Sequence, residues 1–126
     1  TSCEGIFACG NVLVVHDVVD FVTKDAEKAG RNAALYSKKK LIDKPDIPVI
    51  PGSGIRFVVP QFIASDEVEI YMRVMEPGSY KKIVFRDGKR IVKTKNLKYV
   101  SPPEMIRLRL KKREIADAKK LSVAVE

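Results

Sequence analysis

The residues best suited to chemistry lie within the first 17 positions: Cys3, Cys9, His16 and the pair Gly10-Asn11. The six-residue separation of the cysteines is not the CxxC spacing of a redox pair, and no set of further ligands accompanies them at metal-binding spacing. The chain contains a single histidine, so neither a histidine-based triad nor a multi-histidine metal site can be built within it. We therefore predict buried, reduced thiols, no catalytic residues and no metal ligands.

His16 stands between a strand pattern and a helix pattern, which is where cofactors often lie in α/β folds. A lone histidine is nevertheless commonly a structural residue. The residues alone leave both interpretations open.

Two elements must position this segment. "GIFACG" is typical of a short buried strand bounded by Gly5 and Gly10. From about Asp17, apolar residues recur every three or four positions, which predicts a long amphipathic helix with Asp17 as N-cap and Asp20 in its first turn. One face of this helix is built from small residues, which suggests close packing against a flat partner: Ala26, Ala29, Gly30, Ala33 and Ala34.

The remainder of the chain is typical of a β protein. The Pro-rich connector "DKPDIPVIPGSG" predicts a domain boundary, giving residues 1–44 and 45–126 as the two parts. "EMIRLRLKK" alternates strictly, and "KKIVFRDGKRIVKTK" predicts a hairpin with Asp87-Gly88 at its turn. Strand signals at short, regular intervals favour an immunoglobulin-like antiparallel β-sandwich, so the expected fold class is α+β.

The charge and hydropathy patterns limit the classes of partner. Lys and Arg number 24 against 16 acidic residues, for a net charge of +8. Acidic residues interleave with most of the basic ones, which favours a solvated lysine-rich surface over nucleic-acid binding. No apolar run approaches the roughly 20 residues of a membrane span, and no signal-peptide pattern is present, so we expect a cytoplasmic protein.

The first third of the chain also resembles a known family. "TSCEGIFACGNV" resembles the second flavin-binding motif of the pyridine nucleotide-disulfide oxidoreductase superfamily, whose thioredoxin-reductase-like members bind FAD. The strand, the corner and the helix come in the family's order, and "AEKAGRNAA" is similar to its terminal helix. "ACGNVLVVHDVVDFV" looks most like a branch of FAD-dependent oxidoreductases with a C-terminal β domain. The residues that match the motif are Thr1, Gly5, Ile6, Phe7, Ala8, Gly10 and Asn11.

This resemblance implies a flavin site. Asn11 stands where the family has an Asp that hydrogen-bonds the ribityl chain of FAD, and its amide keeps that capacity. The helix N-terminus would point at the pyrimidine edge of the flavin, where its partial positive charge stabilises an anionic reduced ring. The cofactor-binding residues implied in this way are Gly10, Asn11, Val12, His16, Asp17 and Val18.

The resemblance further implies the C-terminal portion of a larger FAD-dependent NAD(P)H oxidoreductase. The sequence lacks G-x-G-x-x-G, a nicotinamide-binding βαβ pattern and CxxC, which precede this motif in the superfamily. We therefore expect a strand and helix of a Rossmann-like domain that is inactive alone. Its expected partners are the missing N-terminal part, a second copy of the chain and a glycerol-3-phosphate dehydrogenase-like protein.

Two alternatives stay open. The first is a non-enzymatic, immunoglobulin-like interaction module with no cofactor, in which the N-terminal strand and helix only pack. The second is a nucleic-acid-binding β domain, which rests on charge alone.

Overall fold

The computed structural model describes residues 3–39, 45–64 and 66–126, and it divides the chain into two compact units, Thr1–Asp43 and Lys44–Glu126. Together they make a mixed α+β protein, rich in strands, with two β-sheets and one long helix. The assignment of the first unit to a Rossmann-like domain stays a prediction.

The N-terminal unit contains a short 3-10 turn, Gly10–Val12, followed by the long helix α1, Val19–Ser37. The predicted helix is therefore present, and Asp20 lies in its first turn as expected. The N-cap is Val18 rather than Asp17, because Val18 is the last residue with extended backbone angles (φ −136°, ψ 133°). Val18 itself makes no side-chain capping hydrogen bond.

The strand predicted for "GIFACG" does not form. Residues 6–9 have no regular secondary structure, and no strand occurs among residues 3–39. The physical reason is that a strand satisfies its backbone groups only by pairing, and this part of the chain offers no second strand. Ile6 and Phe7 are instead left 59% and 37% exposed.

Within its described residues, 45–64 and 66–126, the C-terminal unit contains eight strands and one helical turn. A five-stranded sheet has the order β3-β1-β8-β5-β6, and a three-stranded sheet has the order β2-β4-β7. The helical turn α2 (Lys112–Ile115) lies between the last two strands. The strands are β1 (Ile47–Pro51), β2 (Ile55–Val59), β3 (Phe62–Ile63), β4 (Val68–Val74), β5 (Gly78–Asp87), β6 (Arg90–Val100), β7 (Ile106–Leu110) and β8 (Leu121–Val125).

Both sheets contribute side chains to one hydrophobic core. On β7 the strict alternation is confirmed, since Ile106, Leu108 and Leu110 are buried while Arg107 and Arg109 are exposed. Successive side chains of a strand point to opposite faces, so this pattern places one face of the sheet on the core. The largest fully buried side chains are Phe85, Ile70, Met72, Ile83, Leu110, Ile115 and Leu121.

The Pro-rich connector is partly a strand. β1 pairs with β3 in antiparallel fashion but with β8 in parallel, so the expectation of a wholly antiparallel unit is wrong for this pair. Pro48 and Pro51 are tolerated because Val49 between them supplies an amide, which donates to Gln61 O at 2.8 Å.

The hairpin is present, but its turn lies one residue later than predicted. Asp87 is still paired with Arg90, so the two loop residues are Gly88 and Lys89. Gly88 has φ +59°, the left-handed conformation that such turns require.

Candidate functional site

The corner that precedes α1 depends on Gly10. This residue is buried and has φ +67°, a conformation that glycine adopts without steric cost. Its carbonyl accepts hydrogen bonds from the N–H groups of Leu13 (2.9 Å) and Val14 (3.1 Å), which close the turn. A Cβ at this position would also lie 3.4 Å from Val22 Cγ1 of the helix. The corner therefore needs glycine for its backbone conformation, whereas the distance to Val22 is an ordinary van der Waals contact that a Cβ would tolerate.

The turn displays Asn11 and Val12 outwards. Both residues are exposed, and the side chain of Val12 is 83% exposed. Val14 points the other way and is only 7% exposed, so it anchors the turn. An amide that can donate and accept hydrogen bonds thus stands beside an apolar surface.

The N-terminal end of α1 lies eight residues after this corner. Its N-cap Val18 and first residue Val19 are exposed, at 45% and 72%. Val18, the N-cap residue, provides no side-chain hydrogen bond to the first turn, and the positive end of the helix dipole lies there. Such an end favours negative charge on a ligand.

His16 faces α1. Its side chain is fully buried, and Nε2 lies 2.7 Å from Oδ2 of Asp25. A carboxylate only accepts, so Nε2–H of the imidazole is the donor. The ring also lies 6.2 Å from that of Phe21, centroid to centroid. This contact ties the loop before α1 to the helix, while the neighbouring Asp17 is exposed.

Asp25 is the residue that the sequence reasoning missed. It lies nine positions after His16, and no motif links two residues at this separation. Only the reversal of the chain between the loop and α1 brings them together.

An unusual amount of apolar surface surrounds this site. The large apolar side chains of a small folded unit usually point into its core. Among residues 3–39, however, Val14 is the only large apolar residue that is buried. The exposed ones within positions 6–19 are Ile6, Phe7, Val12, Leu13, Val15, Val18 and Val19.

The small-residue face of α1 is uncovered as well. Gly30 and Ala34 are exposed, and a Cβ at Gly30 would meet no atom within 4 Å. The helix has no buried residue along its whole length.

Comparison with protein-family models, curated proteins and solved structures finds no match to this chain. The function therefore has to be argued from the site itself.

The described residues contain no cluster of three or more His, Cys, Asp or Glu side chains that could hold a metal ion. Both cysteines are thiols, but Cys3 is exposed and Cys9 is half-buried, so the expectation that both are buried is wrong. Among all the described residues, no helix is both long enough and apolar enough to span a membrane.

Proposed function

We propose that residues 1–44 complete the flavin site of an FAD-dependent NAD(P)H oxidoreductase of the pyridine nucleotide-disulfide oxidoreductase superfamily. In this proposal the chain acts as the C-terminal portion of the enzyme. The N-terminal part that holds the rest of FAD and the nicotinamide is its main partner.

The observation that carries the proposal is the arrangement around Gly10. A left-handed glycine corner, an exposed amide at Asn11 and a helix N-terminus with Val18 as its N-cap follow one another within ten residues. They supply the corner and the helix N-terminus of the flavin-binding motif that the chain resembles, whereas the strand that precedes them in that motif, "GIFACG", does not form. The exposed apolar side chains of this segment supply the surface that a dinucleotide-binding domain and a flavin ring would cover.

The residues of the corner fit the cofactor in the following roles. Gly10 allows the backbone to turn, and Asn11 donates or accepts a hydrogen bond at the ribityl chain. Val12 and Val18 provide apolar contact, and the N-terminus of α1 stabilises negative charge on the pyrimidine edge. Bound FAD supplies hydride transfer from a reduced nicotinamide to an acceptor.

His16 and Asp17 have different roles in this proposal. Because the His16 imidazole is buried against Asp25, it holds the loop in place and does not touch the cofactor. Asp17 is exposed and lies two residues before α1, so it is close enough to contact the cofactor or the partner domain.

The C-terminal unit, in this proposal, is an immunoglobulin-like sandwich for docking or dimerisation. We propose a homo-oligomeric enzyme, with a glycerol-3-phosphate dehydrogenase-like protein as a further partner. A cytoplasmic location fits the two cysteines, which are thiols here, since reduced thiols persist in that compartment.

The decisive experiment is to co-express this chain with the dinucleotide-binding portion of a flavoprotein of the same superfamily. We expect a yellow complex with flavin absorbance. Asn11→Leu should weaken FAD binding about two- to tenfold, because one hydrogen bond contributes about 0.5–1.5 kcal/mol. Asn11→Asp, which introduces the family's residue, should bind FAD at least as well as the original chain.

The control is Asn96→Leu, which replaces an exposed asparagine of β6 and should leave FAD binding unchanged. A folded complex that stays colourless would contradict the proposal and favour the interaction module without a cofactor.

A further inference from the structure

The outer strand β6 is a long, open sheet edge. It has 11 residues and stands at the end of the five-stranded sheet, with β5 as its only strand neighbour among the described residues. An unpaired edge of this length presents a row of amide and carbonyl groups to which another strand can bind.

The hydrogen bonds of β5 show which groups face outwards. Lys82 N–H donates to Glu126 O, and Glu126 N–H donates to Lys82 O, each at 2.8 Å, so the backbone of Lys82 faces the β8 side. Alternate residues of a strand face opposite neighbours, so Ile83 faces β6 and binds its partner Lys95. The backbone groups of Thr94 and Asn96, on either side of Lys95, therefore point to the open edge.

The charge along this edge has one sign. From Gly88 to Pro103 the sequence contains five basic residues and no acidic residue. Arg90 pairs with Asp87, and Lys93 pairs with Glu114. Lys95 and Lys98 are exposed and have no carboxylate partner among the described residues.

These charges decide what can pair with the edge. Two β6 strands side by side would bring lysines together, and like charges on adjacent strands are destabilising. Lysine on an edge strand is a recognised protection against such self-pairing. The same lysines are complementary to aspartate and glutamate.

We propose that β6 binds an extended acidic segment of a partner protein as an additional strand. The backbone of Thr94 and Asn96 provides the hydrogen bonds, and Lys95 and Lys98 select for acidic side chains. Ile91 and Tyr99, 55% and 58% exposed, provide apolar contacts near the two ends of the strand. This inference does not rest on the proposed flavin site.

Amide hydrogen exchange tests the proposal, because strand addition has a distinctive alternating signature. The probe is a nine-residue peptide of three Thr-Glu-Glu repeats, added to the full chain, which places glutamates on both faces of the added strand because Lys95 and Lys98 point to opposite faces. At ten times the dissociation constant, exchange at Thr94 and Asn96 should slow about tenfold. Lys93 and Lys95, whose amides already bind β5, should change little.

Two variants test the two parts of the interaction. Asn96→Pro removes an outward N–H that makes no bond to β5, so it should abolish peptide binding while the sheet remains. Lys95→Glu combined with Lys98→Glu leaves the backbone intact and should weaken peptide binding about tenfold. The second variant decides the matter if the proline variant fails to fold.

Four results would overturn the proposal. They are uniform protection without alternation, equal binding of the same peptide with Lys in place of Glu, equal protection by a single-stranded oligonucleotide, and protection of Thr94 and Asn96 that depends on protein concentration alone. The last result would identify a second copy of the chain as the occupant.

Discussion

Single residues in the N-terminal unit owe their types to different constraints. Gly10 is required by a positive φ, whereas His16 and Asp25 are held by one another in a hydrogen bond between a loop and α1. The His16 side chain is fully buried. Removal of the Asp25 carboxylate would therefore leave the His16 Nε2–H group without that acceptor and without access to water, which is destabilising. The loop that carries Asn11 and Val12 therefore depends on the contact between His16 and Asp25.

We expect Asp25→Ala to destabilise the N-terminal unit by about 1–3 kcal/mol. A double-mutant cycle of Asp25→Ala with His16→Ala should give a coupling energy of about 0.5–3 kcal/mol, measured by urea unfolding followed through helical circular dichroism. Glu27→Ala, at an exposed position of the same helix, should change stability by less than about 0.5 kcal/mol. A coupling energy near zero would show that the pair does not hold the loop.

At the scale of elements, the short helix α2 is stabilised by the contacts of Glu114 in its first turn. Glu114 accepts a hydrogen bond from the Lys111 N–H at 2.7 Å and binds the Lys93 ammonium of β6 at 2.9 Å. Lys93 also donates to Arg109 O at 2.7 Å, so one side chain links β6, β7 and α2. A helix of four residues cannot form from propensity alone, and these contacts from neighbouring elements supply the missing stability.

Stability should therefore depend on the ionisation of Glu114. Its burial raises the pKa of this carboxyl, but the hydrogen bonds from Lys111 and Lys93 and the charge of Lys93 outweigh that effect and hold the pKa below its ordinary value. A lowered pKa in the folded state stabilises the protein above the unfolded-state value of about 4.3, and the stabilisation is lost as pH falls through the folded-state pKa.

We predict that Glu114→Gln lowers the midpoint of urea unfolding at neutral pH and that the difference from the original chain shrinks below about pH 4. The control, Glu104→Gln, changes an exposed residue of the loop before β7 and should have no such effect. A difference that stays constant with pH would mean that the charge of Glu114 is unimportant.

At the scale of the whole molecule, the two units are stabilised very differently. The C-terminal unit has a core shared by two sheets, whereas Val14 is the only large apolar residue buried among residues 3–39. Burial of apolar area is the main favourable term in folding, so the N-terminal unit gains little from its own packing. Its exposed segment around Gly10 is therefore the expected place of association.

We expect the chain to self-associate with rising concentration in sedimentation velocity experiments. Val12→Lys combined with Val19→Lys should weaken this association, because it places charge on the exposed apolar segment. Glu27→Lys changes the net charge by the same amount without removing an apolar group, and it should leave association nearly unchanged. A monomer at high concentration would contradict this expectation.

Much of the secondary structure could be predicted because it depends on local pattern. The helix over Val19–Ser37, the alternation on β7 and the final strand β8 all follow from the spacing of apolar residues. The Gly10-Asn11 corner was also identified from its residue types, and its assignment to a flavin site stays a prediction.

The tertiary structure decided the contacts between residues distant in sequence. It paired β1 in parallel with β8, joined His16 to Asp25, and left "GIFACG" unpaired although its composition is typical of a strand. Periodicity specifies which face of an element is apolar, but it does not specify which element covers that face. For this protein the sequence by itself determined most of the elements, and only the tertiary structure decided their partners, because pairing is a property of two segments.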